Sequence, residues 1–236
     1  MDSRKKIVFI YILLIPLVLI LFQKFGYLNI LENYWNVKTM QPFFADTRII
    51  TSGYEATQQG FDPMLQHTAD PWERKLNYPR VWQSLYFLGI NSQHTGILGI
   101  IFIILYLLGI IMIAADVNNL TILNIILVIL SPASILGMVA GNTDLLIFFL
   151  VCCFVILINK WPNYSKIIIM LGTILKIYPV FASIIILRLK RDIAIKYLLQ
   201  IFFFTLFYLL ISYKDMVLII HNTPDAIQGQ YGMNIL

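Results

Sequence analysis

Apolar blocks of 16 to 21 residues recur along the chain, at Ile7–Phe22, Gly96–Ala115, Thr121–Ala140, Asp144–Asn159, Ile167–Leu187 and Ala194–Ser212. Roughly 20 apolar helical residues cross a hydrocarbon core about 30 Å thick, so each block predicts a membrane-embedded helix. Arg4, Lys5 and Lys6 precede the first block, and Gln23-Lys24-Phe25 follows it without a small-residue cleavage pattern. That block reads as a retained span with a cytoplasmic N-terminus. One long polar stretch, residues 24–95, interrupts the series and reads as an extracytoplasmic loop.

Composition narrows the class. Of 236 residues, 59% are hydrophobic and only 12% charged, with a mean hydropathy of +0.81. A soluble domain carries about twice that charge, and disorder requires low hydrophobicity. Apolar residues that come in blocks, not in alternation, argue against a transmembrane strand barrel. The expected fold is therefore all-α, a polytopic helical membrane protein. Cys152 and Cys153 are adjacent inside an apolar block and read as packing residues.

The net charge of +5 takes its meaning from its placement. If Ile167–Leu187 crossed the membrane once, Lys160 and Lys166 would face the opposite side from Arg188, Lys190 and Arg191, against the cytoplasmic bias of basic residues. The conflict disappears if this segment enters and returns as two half-helices broken around Lys176 and Pro179. A proline inside a helix removes a backbone bond, and broken helices persist where the freed backbone lines a protein cavity. Nine basic residues and three acids then lie inside, against seven basic residues and nine acids outside, with Lys176 within the membrane. The positive charge orients the chain, and nucleic-acid binding is not needed to explain it.

The loop 24–95 holds two of the three histidines, three of the four tryptophans and six of the twelve acids. Its dense aromatics and prolines predict a folded segment. A helix is expected over Thr47–Gln59, capped by Asp46 or Thr47, with Ile49, Ile50, Tyr54 and Thr57 on one face. Five short strings stand out: Phe44-Ala45-Asp46-Thr47-Arg48, Gly60-Phe61-Asp62-Pro63, Leu76-Asn77-Tyr78-Pro79-Arg80, Gly141-Asn142-Thr143-Asp144 and Leu175-Lys176-Ile177-Tyr178-Pro179.

In their order and membrane positions, these strings resemble the polytopic glycosyltransferases of the GT-C fold. The resemblance is nearest to glycosyltransferase family 87, mannosyltransferase-like enzymes that use polyprenyl-phosphate sugars. It covers the chain from about Asp46 to Arg191 and implies an inverting hexose transfer outside the cytoplasm, with Asp46 as the catalytic base. One carboxylate suffices to remove the acceptor's hydroxyl proton, and cations are needed to hold the departing phosphate. Lys176, Arg48 and Arg80 are expected in that role, with Asp62, Tyr78 and Asn142 completing the substrate-binding set. The implied partners are a polyprenyl-phosphate sugar donor, a glycan or lipid acceptor and the membrane lipids. No cofactor is expected, although Asp46 and Asp62 could share a divalent cation. The absence of glycosylation sequons in the loop points to a bacterial plasma membrane. Relatives of this fold usually have more spans, so the chain reads either as a C-terminally truncated member or as a short variant lacking the later helices.

Each residue also has a purely structural reading. Asp46 would cap a helix, Asp62 and Asp70 would set turns before prolines, and Asn142 and Asp144 would cap the following span. Lys176 would snorkel to an interface, although a mid-membrane lysine is a functional candidate by default. His67, His94 and His221 lack metal-ligand spacing and read as polar loop residues. The tryptophans fit an interfacial belt, with Trp72 or Trp82 free to stack on a sugar. Two rival functions follow: a transporter or flippase for a lipid-linked or small polar substrate, supported by the broken helix, and a non-catalytic subunit of an envelope-assembly complex.

Overall fold

The computed structural model describes residues 40–116 and 122–223, so the expected span Ile7–Phe22 lies outside the described residues. Among those residues the chain is helical without strands. In chain order the α-helices are α1 (Ala45–Thr51), α2 (Gly53–Gln58), α3 (Thr95–Asp116), α4 (Ile122–Ile129), α5 (Pro132–Ala140), α6 (Asp144–Leu157), α7 (Pro162–Leu175), α8 (Arg191–Ile211) and α9 (Tyr213–Asn222). Three 3-10 helices, Arg80–Leu88, Ser92–His94 and Tyr178–Arg188, complete the set. Ser92–Ala114 and Arg191–Ile211 are long and apolar enough to cross a membrane. The pair α5 and α6, bent by 115° at its break, would make a third if it counts as one span.

Several boundaries differ from expectation for identifiable reasons. The block Thr121–Ala140 is not one helix. Ser131 accepts a hydrogen bond from the Ser134 N–H, and Pro132 opens α5 at the position where its missing N–H costs nothing. The expected Thr47–Gln59 helix is likewise two short helices parted at Ser52, whose hydroxyl donates back to the Arg48 carbonyl at 2.6 Å. Gly53 opens α2 because a Cβ there would collide with the Tyr86 phenol. Ile49 and Ile50 are buried as expected, whereas Thr57 is exposed. Helix α9 had no counterpart in the apolar pattern, being only 10 residues long and carrying Lys214 and Asp215 in its first turns.

Two compact units are present. Among the described residues, the first comprises 40–47 with 95–116 and 122–146. In it α3 packs on α5, and Tyr106 and Ser134 share a hydroxyl hydrogen bond of 2.7 Å. Val139 is buried with Phe43 and Ile135 against it.

The second unit comprises Arg48–His94 and Ile147–Thr223. Its core joins Phe154, Ile158, Ile169, Ile186, Ala194, Tyr197 and Ile201. Helix α7 stops at Leu175, and the 3-10 helix Tyr178–Arg188 packs back against it, with Pro179 beside Gly172. The segment is thus broken at Lys176, although its first arm starts at Pro162, earlier than expected. With three residues per turn, Tyr178, Phe181, Ile184 and Leu187 line one exposed side of the 3-10 arm. The part of the loop in this unit has a core of its own, with Ile50, Met64 and Leu76 fully buried.

Candidate functional site

In the first unit, the site residues gather at the break between α5 and α6. Gly141 ends α5 with φ +61°, and a Cβ there would lie 2.5 Å from Thr47 Oγ1 and 2.9 Å from the Phe44 ring. The space is taken by the chain entering α1. The Phe44 N–H donates to the Val139 carbonyl at 3.0 Å, and Thr47 Oγ1 donates to the Gly141 carbonyl at 2.6 Å. These bonds satisfy carbonyls that the end of α5 would otherwise leave open. Phe44 itself adopts φ +62°, a left-handed conformation costing a bulky residue on the order of 1–3 kcal/mol.

That docking delivers Asp46, 9% exposed, to Asn142, whose Nδ2 donates to Asp46 Oδ2 at 2.8 Å. The other end of the same amide, Oδ1, accepts from the Asp144 N–H at 2.8 Å. Asn142 therefore caps α6 and orients the carboxylate at once, so the structural and functional readings of this residue do not compete. Helix α1 starts at Ala45, which puts Asp46 inside its first turn and not at its cap. Thr143, fully buried, turns in a hydroxyl with no hydrogen-bond partner.

In the second unit, the site residues gather at the break after α7. The last carbonyls of α7 are satisfied by side chains: the Trp82 indole N–H donates to the Leu175 carbonyl at 3.1 Å, and the Tyr208 hydroxyl to the Ile174 carbonyl at 3.0 Å. Trp82 is 4% exposed and meets Tyr78 edge to face at 6.4 Å. Its ring is committed to the core, which removes it as a sugar-stacking platform. Lys176, in extended backbone just past α7, holds its ammonium 5.6 Å from the ring centres of both Tyr78 and Tyr178. Two rings stabilise a cation at this range, and they join Lys176 to Tyr78, another expected site residue.

The remaining candidates sort by their partners. Arg80 donates to Asp62 at 3.0 Å and to Asp215 of α9 at 3.1 Å. Burial opposes the Arg80 charge, but the two carboxylates outweigh it and raise its pKa. Asp62 also accepts from the Met64 N–H, as its turn reading requires. Arg80 thus cross-links the loop to α9, an engagement invisible in the sequence because Asp215 lies 135 residues away. Asn222, at the far end of α9, donates to the Met64 and Leu76 carbonyls. Arg48 is half-buried, and its Nε is enclosed without a hydrogen-bond partner.

Asp70 is buried and accepts from the Trp72 and Arg74 amides and the Arg74 guanidinium, a structural role. The Arg74 guanidinium also lies 4.7 Å over the Trp72 ring. His67 is not a polar loop residue: it is 3% exposed, with Nε2 at 2.9 Å from the Ile49 carbonyl. Burial holds its pKa below the ordinary value. Among the described residues, no three His, Cys, Asp or Glu side chains are grouped as a metal site would need. Comparison with known protein families, curated proteins and solved structures returned no match.

Proposed function

We propose that the chain is a membrane glycosyltransferase that moves a hexose from a polyprenyl-phosphate donor to an extracytoplasmic glycan or lipid acceptor with inversion. The observation that carries this reading is the hydrogen bond between Asn142 and Asp46. It links two of the five strings that resemble GT-C enzymes and fixes a nearly buried carboxylate with a neutral donor. In the reaction, Asp46 takes the proton of the acceptor hydroxyl while the acceptor oxygen attacks the sugar's anomeric carbon. The bond to the phosphate oxygen breaks on the opposite face, and the polyprenyl phosphate leaves as an anion. Lys176 compensates that anion's charge, with Arg48 as the second cation. Arg80, already held by two carboxylates, has a structural role in this reading.

The test is Asp46→Asn in the native cell, with lipid and glycan fractions profiled by mass spectrometry. Asparagine keeps the size of the side chain and one oxygen to accept from Asn142 Nδ2, but it is no base. The expected result is accumulation of a polyprenyl-phosphate hexose and loss of one sugar from one glycan at normal protein level. Profiles matching wild type, when deletion of the whole chain changes them, would overturn the assignment. The two helix breaks within apolar sequence favour one alternative, a transporter for a lipid-linked substrate. Asp46→Asn would then leave glycan composition intact while the substrate stayed on one side of the membrane.

A further inference from the structure

The loop tryptophans were expected at the membrane surface, yet Trp82 is buried and other residues point outward. Phe87 is 93% exposed, the most of any large apolar residue described, and its neighbour Leu88 is 75% exposed. This is not the looseness of a frayed end. The Gly89 N–H closes on the Tyr86 carbonyl at 3.0 Å, the Ile90 N–H on the Leu85 carbonyl at 3.2 Å, and the Tyr86 hydroxyl donates to the Ile50 carbonyl at 2.9 Å. One side of the 3-10 helix Arg80–Leu88 is anchored in the loop core, and its end presents two apolar side chains outward.

What covers them follows from the chain that comes next. Four residues past Leu88, at Ser92, begins the apolar stretch Ser92–Ala114, long enough to cross a membrane. Four residues reach at most about 14 Å. The Ser92 N–H donates to Glu55 Oε1 at 3.0 Å, and Tyr54, beside Glu55, meets Tyr86 edge to face at 6.3 Å. The start of the span and the apolar tip are therefore fixed to the same small core. No Asp, Glu, Lys or Arg occurs between Arg80 and Asp116, so no charge separates the tip from the span. A helix of 23 residues is about 34 Å long against a hydrocarbon core of about 30 Å, which leaves Ser92, Gln93 and His94 among the headgroups.

We infer that Phe87 and Leu88 form a membrane-inserted tip whose partner is the lipid bilayer at the headgroup–acyl boundary, beside the point where the chain enters it. The tip holds the small core around Tyr86 and Trp82 at a fixed height over the membrane. This inference does not depend on the transferase reading.

The test uses the full chain with Cys152 and Cys153 replaced by alanine, reconstituted in phosphatidylcholine–phosphatidylglycerol vesicles. Spin labels are attached singly at F87C, L88C and, as an exposed loop reference, Q58C. Neither tip substitution removes buried packing, so folding is not at stake. The expected result is a collision preference for oxygen over a water-soluble nickel complex at positions 87 and 88, reversed at position 58. Nickel preference at all three positions would overturn the proposal, since the tip would then sit in water. Shielding of positions 87 and 88 from both reagents would overturn it too, in favour of a protein partner or a second copy of the chain.

Discussion

The break at Gly141-Asn142-Thr143 and the break at Lys176-Ile177 solve the same problem by opposite means. Each interrupts an apolar helix and leaves terminal carbonyls in need of donors. At the first, backbone and hydroxyl groups from the entry into α1 supply them, and the segment that docks brings a carboxylate, Asp46, against a neutral amide. At the second, aromatic side chains supply them, and the same aromatic neighbourhood receives a cation, Lys176. Backbone satisfaction fixes a charge at each break, and the donor type decides its surroundings: polar for the anion, aromatic for the cation.

The largest expected effect separates the two breaks. Trp82→Ala should cost about 3–5 kcal/mol by the cavity it leaves. Hydrogen exchange should accelerate at Gly172, Leu175 and Lys176 but not at Gly141. Equal acceleration at both would mean that the breaks are one cooperative structure. Gly141→Ala is the converse, with about 1–2 kcal/mol lost to the left-handed backbone alone and a clash with Thr47 and Phe44 added. Exchange should rise at Phe44 and Asn142, whose amides bond across this break, while Lys176 stays protected.

Acid should weaken the second unit through His67. Burial keeps the His67 pKa below its ordinary value of 6.5, so the folded state binds fewer protons than the unfolded one. That contribution is whole above 6.5 and is lost as the pH falls through the lowered folded value. The melting temperature of wild type should drop more than that of His67→Gln between about pH 7.5 and 5.5. The smallest effect is expected at the Arg80–Asp215 pair, which is partly exposed. Asp215→Asn should cost about 0–1 kcal/mol, less in high salt, as read by denaturant titration at two salt concentrations.

Much of the helical layout was legible because it depends on local sequence. The block Gly96–Ala115 emerges as Thr95–Asp116 since no charge interrupts it, and Lys176 with Pro179 announced the second break. Ser131-Pro132 is an equally local signal for the division of Thr121–Ala140, set inside an apolar run long enough to mask it. The partners of the site residues were another matter. Asp46 and Asn142 were both singled out, yet their bond spans 96 residues, and no pattern in either string encodes it. Nothing in the local sequence marks Asp215 or Asn222, whose targets lie 135 and 158 residues away. His67 looked like any polar loop residue because its burial is created by the loop's own core.

In the proposed transferase the carboxylate would perform the chemistry and the lysine would hold the donor. The most direct measurement follows a radiolabelled polyprenyl-phosphate hexose with the full chain in vesicles supplied with membrane-extracted acceptor. Wild type, Asp46→Asn and Lys176→Met are compared for donor binding and sugar release. Asp46→Asn should bind donor like wild type but release sugar at least about a hundredfold more slowly. Lys176→Met should chiefly lose donor affinity. Sugar release by Asp46→Asn at the wild-type rate, or no release by wild type itself, would contradict this assignment.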